Sequence, residues 1–229
     1  MYQNRTVLIL IPARGGSTRL PHKNVRRLGG IPLIQHAVRA ATRSKYADRV
    51  IVSTDDRTIA RIAKRAGAEI PFMRPQHLAT STSPVIRTII HALAYFKKKE
   101  SWVPDIVVVV QATSPFVLAR DIDSAIKTLV VSKKNSCVTV CPVRERPEWM
   151  FTLSGRTLTQ RYPSKIFERS QDMPALYRLN GAVCASYSQI ILKKQLAFDP
   201  RDLAGVIMPE ERSIDIDYPA DLEAARKMR

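Results

Sequence analysis

Short runs of β-branched residues alternate with helical patterns along most of this chain, and this alternation restricts the fold more than any other feature. The runs cover residues 7–11, 49–54 and 105–110, and an apolar stripe at helical spacing follows each of them. Runs that are apolar throughout are typical of strands buried on both faces. Strands that alternate with helices favour a parallel sheet with helices outside it. The sequence therefore predicts an α/β fold.

Length and composition agree with one such domain, with room for a small appendage. The chain has 229 residues, of which 45% are hydrophobic and 25% charged, as is usual for a globular protein. No apolar segment approaches the roughly 20 residues that cross a bilayer. No secretory signal precedes the first apolar run, so we expect a cytoplasmic protein.

The cysteines are expected to be free thiols. Cys137, Cys141 and Cys184 all lie in apolar runs. Cys137 and Cys141 are four apart in a predicted strand, which separates them by about 13 Å. That distance is too long for a disulfide.

The net charge of +17 is the unusual property of the composition. A basic balance can indicate nucleic acid, an anionic surface or anionic substrates. The cations are dispersed along the chain, and no zinc spacing, heptad repeat or aromatic RNA-binding signature accompanies them. We therefore expect no membrane partner and regard a nucleic-acid-binding module only as a rival hypothesis.

The loop after the first run has the composition of a polyphosphate-binding loop. It contains Gly15 and Gly16 together with the cations Arg14, Arg19 and Lys23. Glycines let backbone N–H groups approach a ligand, and Arg and Lys neutralise phosphate oxygens. Neither the P-loop pattern nor the G-x-G-x-x-G fingerprint is present. A solvated turn remains the alternative interpretation.

The string from Pro12 to Asn24, followed by Pro32-Leu33-Ile34, resembles the start of the acylneuraminate cytidylyltransferases, the CMP-sialic acid synthetase family, which includes CMP-legionaminic acid synthetases. In that family the loop wraps the triphosphate of CTP. The resemblance assigns nucleotide binding to Arg14, Ser17, Lys23 and Asn24. It also gives Arg14 and Lys23 a catalytic role, because they would offset charge on the leaving pyrophosphate.

Two further segments resemble the same family. The segment from Arg74 to Thr82 matches a region whose Arg and hydroxyl residues line the nucleotide pocket, although a solvated loop would explain it too. Gln111, at the end of a predicted central strand, matches the glutamine that contacts the sugar. The chain departs from that motif at Ala112 and at 116–117, where Phe-Val replaces Leu-Arg. The missing arginine bears on which sugar is used.

The rhythm of strands and helices changes between residues 144 and 181, where short segments are interrupted by prolines. We predict a small inserted sub-domain there, with the α/β core formed by residues 1–143 and 182–229. Trp149 and its neighbours resemble the dimerisation region of the family, but a local core is the alternative. The resemblance also assigns sugar binding to Arg178, Arg169 and Asn180, and the two arginines could instead be surface ion-pair residues.

The string Ser-Ile-Asp-Ile-Asp at 213–217 is the second sharp signal. Residues two apart on an extended backbone point to one side, so Asp215 and Asp217 can converge on one point. Two carboxylates beside a triphosphate suit Mg²⁺, and the string resembles the family's metal site. The expected cofactor is Mg²⁺, with Mn²⁺ as a substitute. Asp217 is a metal ligand or, alternatively, the general base, and a helix cap would explain one of the two carboxylates without any metal.

Taken together, the resemblance implies a three-layer αβα fold with a mostly parallel, Rossmann-like sheet of the nucleotidyltransferase type and a small dimerisation sub-domain. It implies that CTP and a nonulosonic acid yield a CMP-sugar and pyrophosphate, in a homodimer or dimer of dimers. A Kdo cytidylyltransferase is the nearest alternative, because Ser-Thr-Arg-Leu-Pro at 17–21 favours that related enzyme. Sialic, legionaminic and pseudaminic acids all remain open as substrates, pseudaminic acid being disfavoured by Asn-Gly-Ala at 180–182.

Overall fold

A computed structural model describes residues 1–143, 145–162 and 174–228. Ten strands are present in this part of the chain. They are β1 (Val7–Pro12), β2 (Arg27–Leu28), β3 (Ile31–Pro32), β4 (Arg49–Ser53), β5 (Ile106–Val110), β6 (Ser136–Pro142), β7 (Phe151–Ser154), β8 (Thr157–Gln160), β9 (Tyr177–Tyr187) and β10 (Leu203–Ile207).

Six of these strands form the central sheet, in the order β10-β6-β9-β5-β1-β4. β1 is parallel to both β4 and β5, and β10 is parallel to β6. β9 is antiparallel to β5 and to β6. The predicted mostly parallel sheet is therefore confirmed, with β9 as its one reversed strand.

Six α-helices flank the sheet in the described part of the chain. They are α1 (Leu33–Thr42), α2 (Arg57–Arg65), α3 (Val85–Glu100), α4 (Ala119–Ser132), α5 (Ser188–Lys194) and α6 (Pro219–Lys227). α1, α2 and α4 pack on one face of the sheet with Ile9 and Ile11, whereas α3 and α5 pack on the other with Leu8 and Leu10. Successive side chains of a strand point to opposite faces, so β1 contributes to both cores. The three-layer αβα architecture is confirmed.

Differences from the predicted elements are local. The sequence also predicts a short strand around residues 69–72, and the structure reduces it to a bridge between Ile51 and Glu69. Pro71 follows almost at once, and a proline has no N–H with which to extend a ladder. The predicted domain boundary at residue 182 lies inside β9, which belongs to the central sheet.

Part of the segment predicted to be a sub-domain forms a separate hairpin. Among the strands of the described residues, β7 and β8 pair only with each other, with Leu153 opposite Leu158. Both leucines are more than 60% exposed.

Among the described residues, no helix combines the length and apolar character that crossing a membrane requires.

Candidate active site

The carboxyl ends of the parallel strands converge on a polar cleft. The loops after β1, β5 and β10 meet there, as open α/β sheets commonly arrange their ligand sites. Two adjoining cavities of about 280 and 240 Å³ share Arg14, Ser17, Lys23 and Ser81 as lining residues. Asp217 completes the first cavity, and Asn24, Arg74 and Gln111 help to line the second. Residues as far apart in the sequence as Arg14 and Asp217 thus line the same cleft.

The loop after β1 is held in place by contacts with its neighbours. Asn24 is buried, and its Nδ2 donates a hydrogen bond to the carbonyl of Arg14 at 2.8 Å. The N–H of Gly15 donates to Asp55 Oδ1 at 2.9 Å. A Cβ at Gly15 would lie 2.9 Å from the Cβ of Asp56, so this position has room only for glycine. The sequence predicts Asp55 and Asp56 as capping carboxylates for the second helix. In the structure Asp56 caps α2 by accepting a hydrogen bond from Ile59 N, whereas Asp55 anchors the loop through Gly15.

The structure distinguishes among three consecutive hydroxyl residues. Ser81 lines both cavities, and Ser83 lines the second. The Oγ of Ser83 is buried without a hydrogen-bond partner from the described residues. Thr82, the residue chosen from the sequence, is exposed and shares a 3.4 Å hydrogen bond with Thr80. Residues 80–83 form a turn in which the N–H of Ser83 donates to the carbonyl of Thr80 at 3.3 Å, and no pattern in the sequence indicated that Ser81 and Ser83 would line the cavities.

Arg74 is a buried cation beside the second cavity. Its Nε donates to Ser53 Oγ at 3.0 Å, and its Nη2 donates to the Ser53 carbonyl. Burial lowers the pKa of Arg74 to about 10, with Asp55 opposing and the charge of Arg14 reinforcing the shift. The guanidinium is still charged at neutral pH, so it adds to the positive field of the cleft.

The acidic segment after β10 is anchored on its apolar side. Ile216 is fully buried in a cluster with Leu20 and Leu33, and Ile214 packs against that cluster. The N–H of Ile216 donates to the carbonyl of Thr113 at 2.9 Å, which ties the segment to the loop after β5. The sequence predicts that Ile214 and Ile216 anchor the face opposite the two carboxylates, and their packing confirms this alternation.

Asp217 reaches across to the loop after β1. Lys23 Nζ lies 2.5 Å from Asp217 Oδ1, and Arg19 Nη1 lies 3.0 Å from Oδ2. The hydrogen bond from Lys23 lowers the pKa of Asp217, and the charge of Arg19 adds to that effect. Asp217 is therefore an anion at neutral pH.

Asp215 has a different electrostatic environment. Its residue surface is open to solvent, yet the protein around the carboxylate desolvates it and raises its pKa. A hydrogen bond with Thr113 opposes this shift, whereas the nearby charge of Asp217 reinforces it. The two carboxylates thus lie close enough to influence each other.

Of the residues expected to bind sugar, Gln111 is at the cleft and Asn180 lies beneath it. Asn180 is buried, and its Nδ2 donates to Ser213 Oγ at 2.9 Å. Its Oδ1 accepts hydrogen bonds from Thr139 Oγ1 at 2.6 Å and from Ala182 N at 3.1 Å. This arrangement makes Asn180 a support for the acidic segment, since Ser213 begins that segment. Arg178 is exposed on β9, and Arg169 lies outside the described residues.

A smaller apolar cavity adjoins the cleft. It has a volume of about 150 Å³ and shares Val85 and Gln111 with the second polar cavity. Leu179, Val183 and Phe198 form part of its wall. Sequence reasoning did not find this cavity because its lining residues come from separate elements and have ordinary core composition.

Another cavity of about 410 Å³ lies at the opposite edge of the sheet, beside Arg5, Asp105 and Ser188. It is larger than any of the others described above, but it is remote from the strand ends that gather the polar side chains. The carboxyl edge is therefore the candidate active site.

The comparison with solved structures gives the class of protein. A CMP:2-keto-3-deoxy-manno-octonic acid synthetase in complex with CTP has a TM-score of 0.72, with 97% of this chain and 98% of that chain covered, at 18% identity. A 4-diphosphocytidyl-2C-methyl-D-erythritol synthase from Anaerococcus prevotii has a TM-score of 0.66, with 97% of this chain and 95% of that chain covered, at 14% identity. These likenesses show that the fold is that of the nucleotidyltransferases.

The comparison with known sequences is more specific. The cytidylyltransferase family pattern matches residues 8–220. A CMP-N,N'-diacetyllegionaminic acid synthase of Legionella pneumophila is 36% identical, with 97% of this chain and 95% of that protein covered. A pseudaminic acid cytidylyltransferase of Campylobacter jejuni is 30% identical, with 96% and 94% covered. The chain belongs to the cytidylyltransferase family, and it is an enzyme of the nucleotidyltransferase type.

The residues present fit a magnesium ion shared with phosphate groups. Mg²⁺ usually takes one or two protein carboxylates and completes its shell with phosphate oxygens and water. Asp215 and Asp217 supply two carboxylates beside the cationic cavity. The described residues contain no group of three or more His, Cys, Asp or Glu side chains that could hold a metal alone. The site therefore suits a metal that arrives with, or is completed by, a nucleotide.

Proposed function

We propose that this enzyme transfers the cytidylyl group of CTP to a nonulosonic acid of the sialic or legionaminic type, releasing pyrophosphate. The observation that supports this most is the meeting of Arg14, Lys23 and Asp217 in one cavity, although Lys23 and Asp217 are 194 positions apart in sequence. A cationic cavity faced by carboxylates is what a metal–triphosphate complex requires. The family and its relatives give the nucleotide and the sugar class.

The cationic side chains would bind the triphosphate. Arg14 offers a planar fork of donors, Lys23 a compact charge and Ser17 a hydroxyl, all lining both polar cavities. Asn24 would act through the loop, since its amide is bonded to the Arg14 carbonyl. Arg74 adds a fixed charge near the nucleotide, and Ser83 offers an unpartnered hydroxyl to it.

Asp215 and Asp217 would hold Mg²⁺, or Mn²⁺ in its place. When bound, the metal would neutralise phosphate charge and polarise the phosphate that is attacked. Lys23 and Arg19 keep Asp217 ionised, which suits a ligand better than a proton acceptor. Asp215, with its raised pKa, is the better proton acceptor of the two.

The chemical step is an in-line displacement at the α-phosphorus of CTP. The oxygen of the sugar's anomeric hydroxyl forms a bond to this phosphorus, and its proton passes to a carboxylate or to water. The bond between the α-phosphorus and the bridging oxygen breaks, and pyrophosphate leaves with that oxygen. Arg14 and Lys23 would stabilise the charge that develops on the pyrophosphate, so positioning and electrostatics supply most of the catalysis.

The sugar would lie between Gln111 and the opening of the apolar cavity. Gln111 lines both that cavity and the second polar cavity, so its amide can orient a sugar whose substituent enters the apolar space. The methyl group of an N-acyl substituent suits walls made of Leu179, Val183 and Phe198. Arg178 and Arg169 are proposed partners for the sugar carboxylate, because a guanidinium pairs well with a carboxylate.

The test is a pyrophosphate-release assay with CTP, Mg²⁺ and a panel of sialic, legionaminic, pseudaminic and Kdo acids. We expect turnover with CTP and at least one N-acylated nonulosonic acid, and loss of turnover when EDTA removes the metal. Preference for Kdo would contradict the proposed sugar class. Tight, salt-sensitive binding to random DNA without any turnover would favour the rival nucleic-acid-binding function.

A further inference from the structure

Asp217 has a cation on each of its two carboxylate oxygens. Lys23 Nζ is 2.5 Å from Oδ1, and Arg19 Nη1 is 3.0 Å from Oδ2. The two cations differ in their surroundings, because the side chain of Lys23 is 17% exposed and that of Arg19 is 59% exposed. Exposed ion pairs are weak, so the Arg19 contact is the one that can readily be exchanged.

The guanidinium of Arg19 also packs against an aromatic ring. Its guanidinium carbon lies 5.2 Å from the centre of the Tyr218 ring, and Tyr218 directly follows Asp217. The ring supports the guanidinium from one side, and its planar donors can turn toward different acceptors. Arg19 therefore has a supported but adjustable position at the edge of the cleft.

The same side chain lines the cavity that is proposed to receive phosphates. Arg19 borders the 280 Å³ cavity together with Arg14 and Lys23. A triphosphate brings several negative charges into this space, whereas Asp217 offers Arg19 a single charge. Arginine binds phosphate oxygens with two parallel hydrogen bonds, which a solvent-exposed carboxylate contact does not match.

We propose that Arg19 is a transferable cation, bound to Asp217 in the free enzyme and to the phosphate chain in the nucleotide complex. This inference rests on the proposed function. The transfer frees Oδ2 of Asp217 when phosphates enter, while Oδ1 stays paired with Lys23, so the carboxylate would have a free oxygen to offer a metal ion. Nucleotide binding and the availability of the metal ligand are then coupled, and such coupling is reciprocal.

A double-mutant cycle tests the transfer without any metal or activity. R19Q, D217N and the double variant are titrated by calorimetry with CTP and with inorganic tripolyphosphate in EDTA. In D217N, Arg19 has no ion pair to give up when it binds phosphate. Removing its phosphate contact with R19Q should therefore weaken binding about 10-fold. In the parent protein, breaking the Arg19–Asp217 ion pair offsets part of the free energy that Arg19 gains from phosphate, so R19Q should weaken binding only about 3-fold. R39Q removes an exposed arginine of α1 and is the matched control, with no expected effect in either background.

The outcomes separate the possibilities. Equal losses from R19Q in both backgrounds would mean that Arg19 contacts phosphate without leaving Asp217, and the transfer would be refuted. No loss in either background would mean that Arg19 is a surface ion-pair residue only. If tripolyphosphate shows the unequal losses but CTP does not bind, the transfer stands and the proposed function fails. Melting temperatures of the four proteins check that each variant is folded.

Discussion

Asp217 contributes to the charge balance of the site and is proposed to take part in its chemistry. Among the described residues it is the only acidic one that lines the 280 Å³ cavity, and three cations line the same space: Arg14, Arg19 and Lys23. Without a bound nucleotide, Asp217 partly neutralises this cluster. Its low pKa follows from Lys23 first and Arg19 second, so it carries its charge throughout the physiological pH range.

Replacing Asp217 with Asn keeps the shape of the side chain and removes the charge. We expect kcat for CTP consumption to fall at least about 100-fold, because the variant would lose the proposed metal ligand. Steady-state pyrophosphate release at saturating Mg²⁺ measures the effect. Glu223→Gln, which removes an exposed acid paired with Arg226 on α6, is the control and should keep normal turnover. Near-normal turnover by the Asp217 variant would remove this residue from the site.

The raised pKa values of the cysteines give a prediction about thiol reactivity. Burial raises the pKa of Cys137 and of Cys184 to about 12, and Cys141 is also buried. Because the thiolate is the reactive form, these thiols should be almost inert toward a disulfide reagent in the native protein at pH 8. Absorbance should show little reaction in buffer and three equivalents after unfolding in guanidinium. Rapid reaction of the native protein would show that a thiol is accessible.

At the scale of elements, the loop after β1 depends on how closely it approaches the start of α2. The N–H of Gly15 donates a hydrogen bond to Asp55, and a Cβ added at Gly15 would lie 2.9 Å from the Cβ of Asp56. Gly16 has nothing within 4 Å of the corresponding position. Packing therefore requires glycine at position 15 but leaves room for a larger side chain at position 16.

This difference predicts opposite results for two alanine variants. Gly15→Ala should push the loop away from α2, lower the free energy of unfolding by about 1–3 kcal/mol and weaken CTP binding. Gly16→Ala should leave both quantities close to those of the parent. Urea unfolding and calorimetric titration with CTP measure the two effects. Equal behaviour of the two variants would mean that the loop adapts to the added methyl group at no cost.

At the scale of the whole molecule, the hairpin formed by β7 and β8 is unusual in exposing apolar side chains. Leu153, Leu158 and Phe151 are all more than 40% exposed, as is Trp149 just before the hairpin. Aromatic residues are enriched at interfaces, and large exposed apolar patches mark contact surfaces. The sequence-based expectation of a homodimer through this region therefore remains a proposal.

A charge-introducing pair of substitutions tests this interface. Leu153→Lys together with Leu158→Lys should convert a dimer to a monomer, because the two lysines would have to be buried in contact. Light scattering after size-exclusion chromatography gives the mass in solution. Val131→Lys changes a 63% exposed valine on α4, away from the hairpin, and should leave the mass unchanged. A parent protein that is monomeric at all concentrations would refute the proposed interface.

The sequence by itself determined the periodic part of this protein. Apolar runs and helical stripes predicted the layered α/β fold, and the spacing of Asp215 and Asp217 between two isoleucines predicted which side faces the core. These features follow from local periodicity, which a sequence displays directly. The choice among Ser81, Thr82 and Ser83, the supporting position of Asn180, the apolar cavity and the partners of Arg19 were decided only by the tertiary structure. Each of them depends on which distant side chain lies within a few ångströms, and that proximity is created by packing rather than by any pattern along the chain.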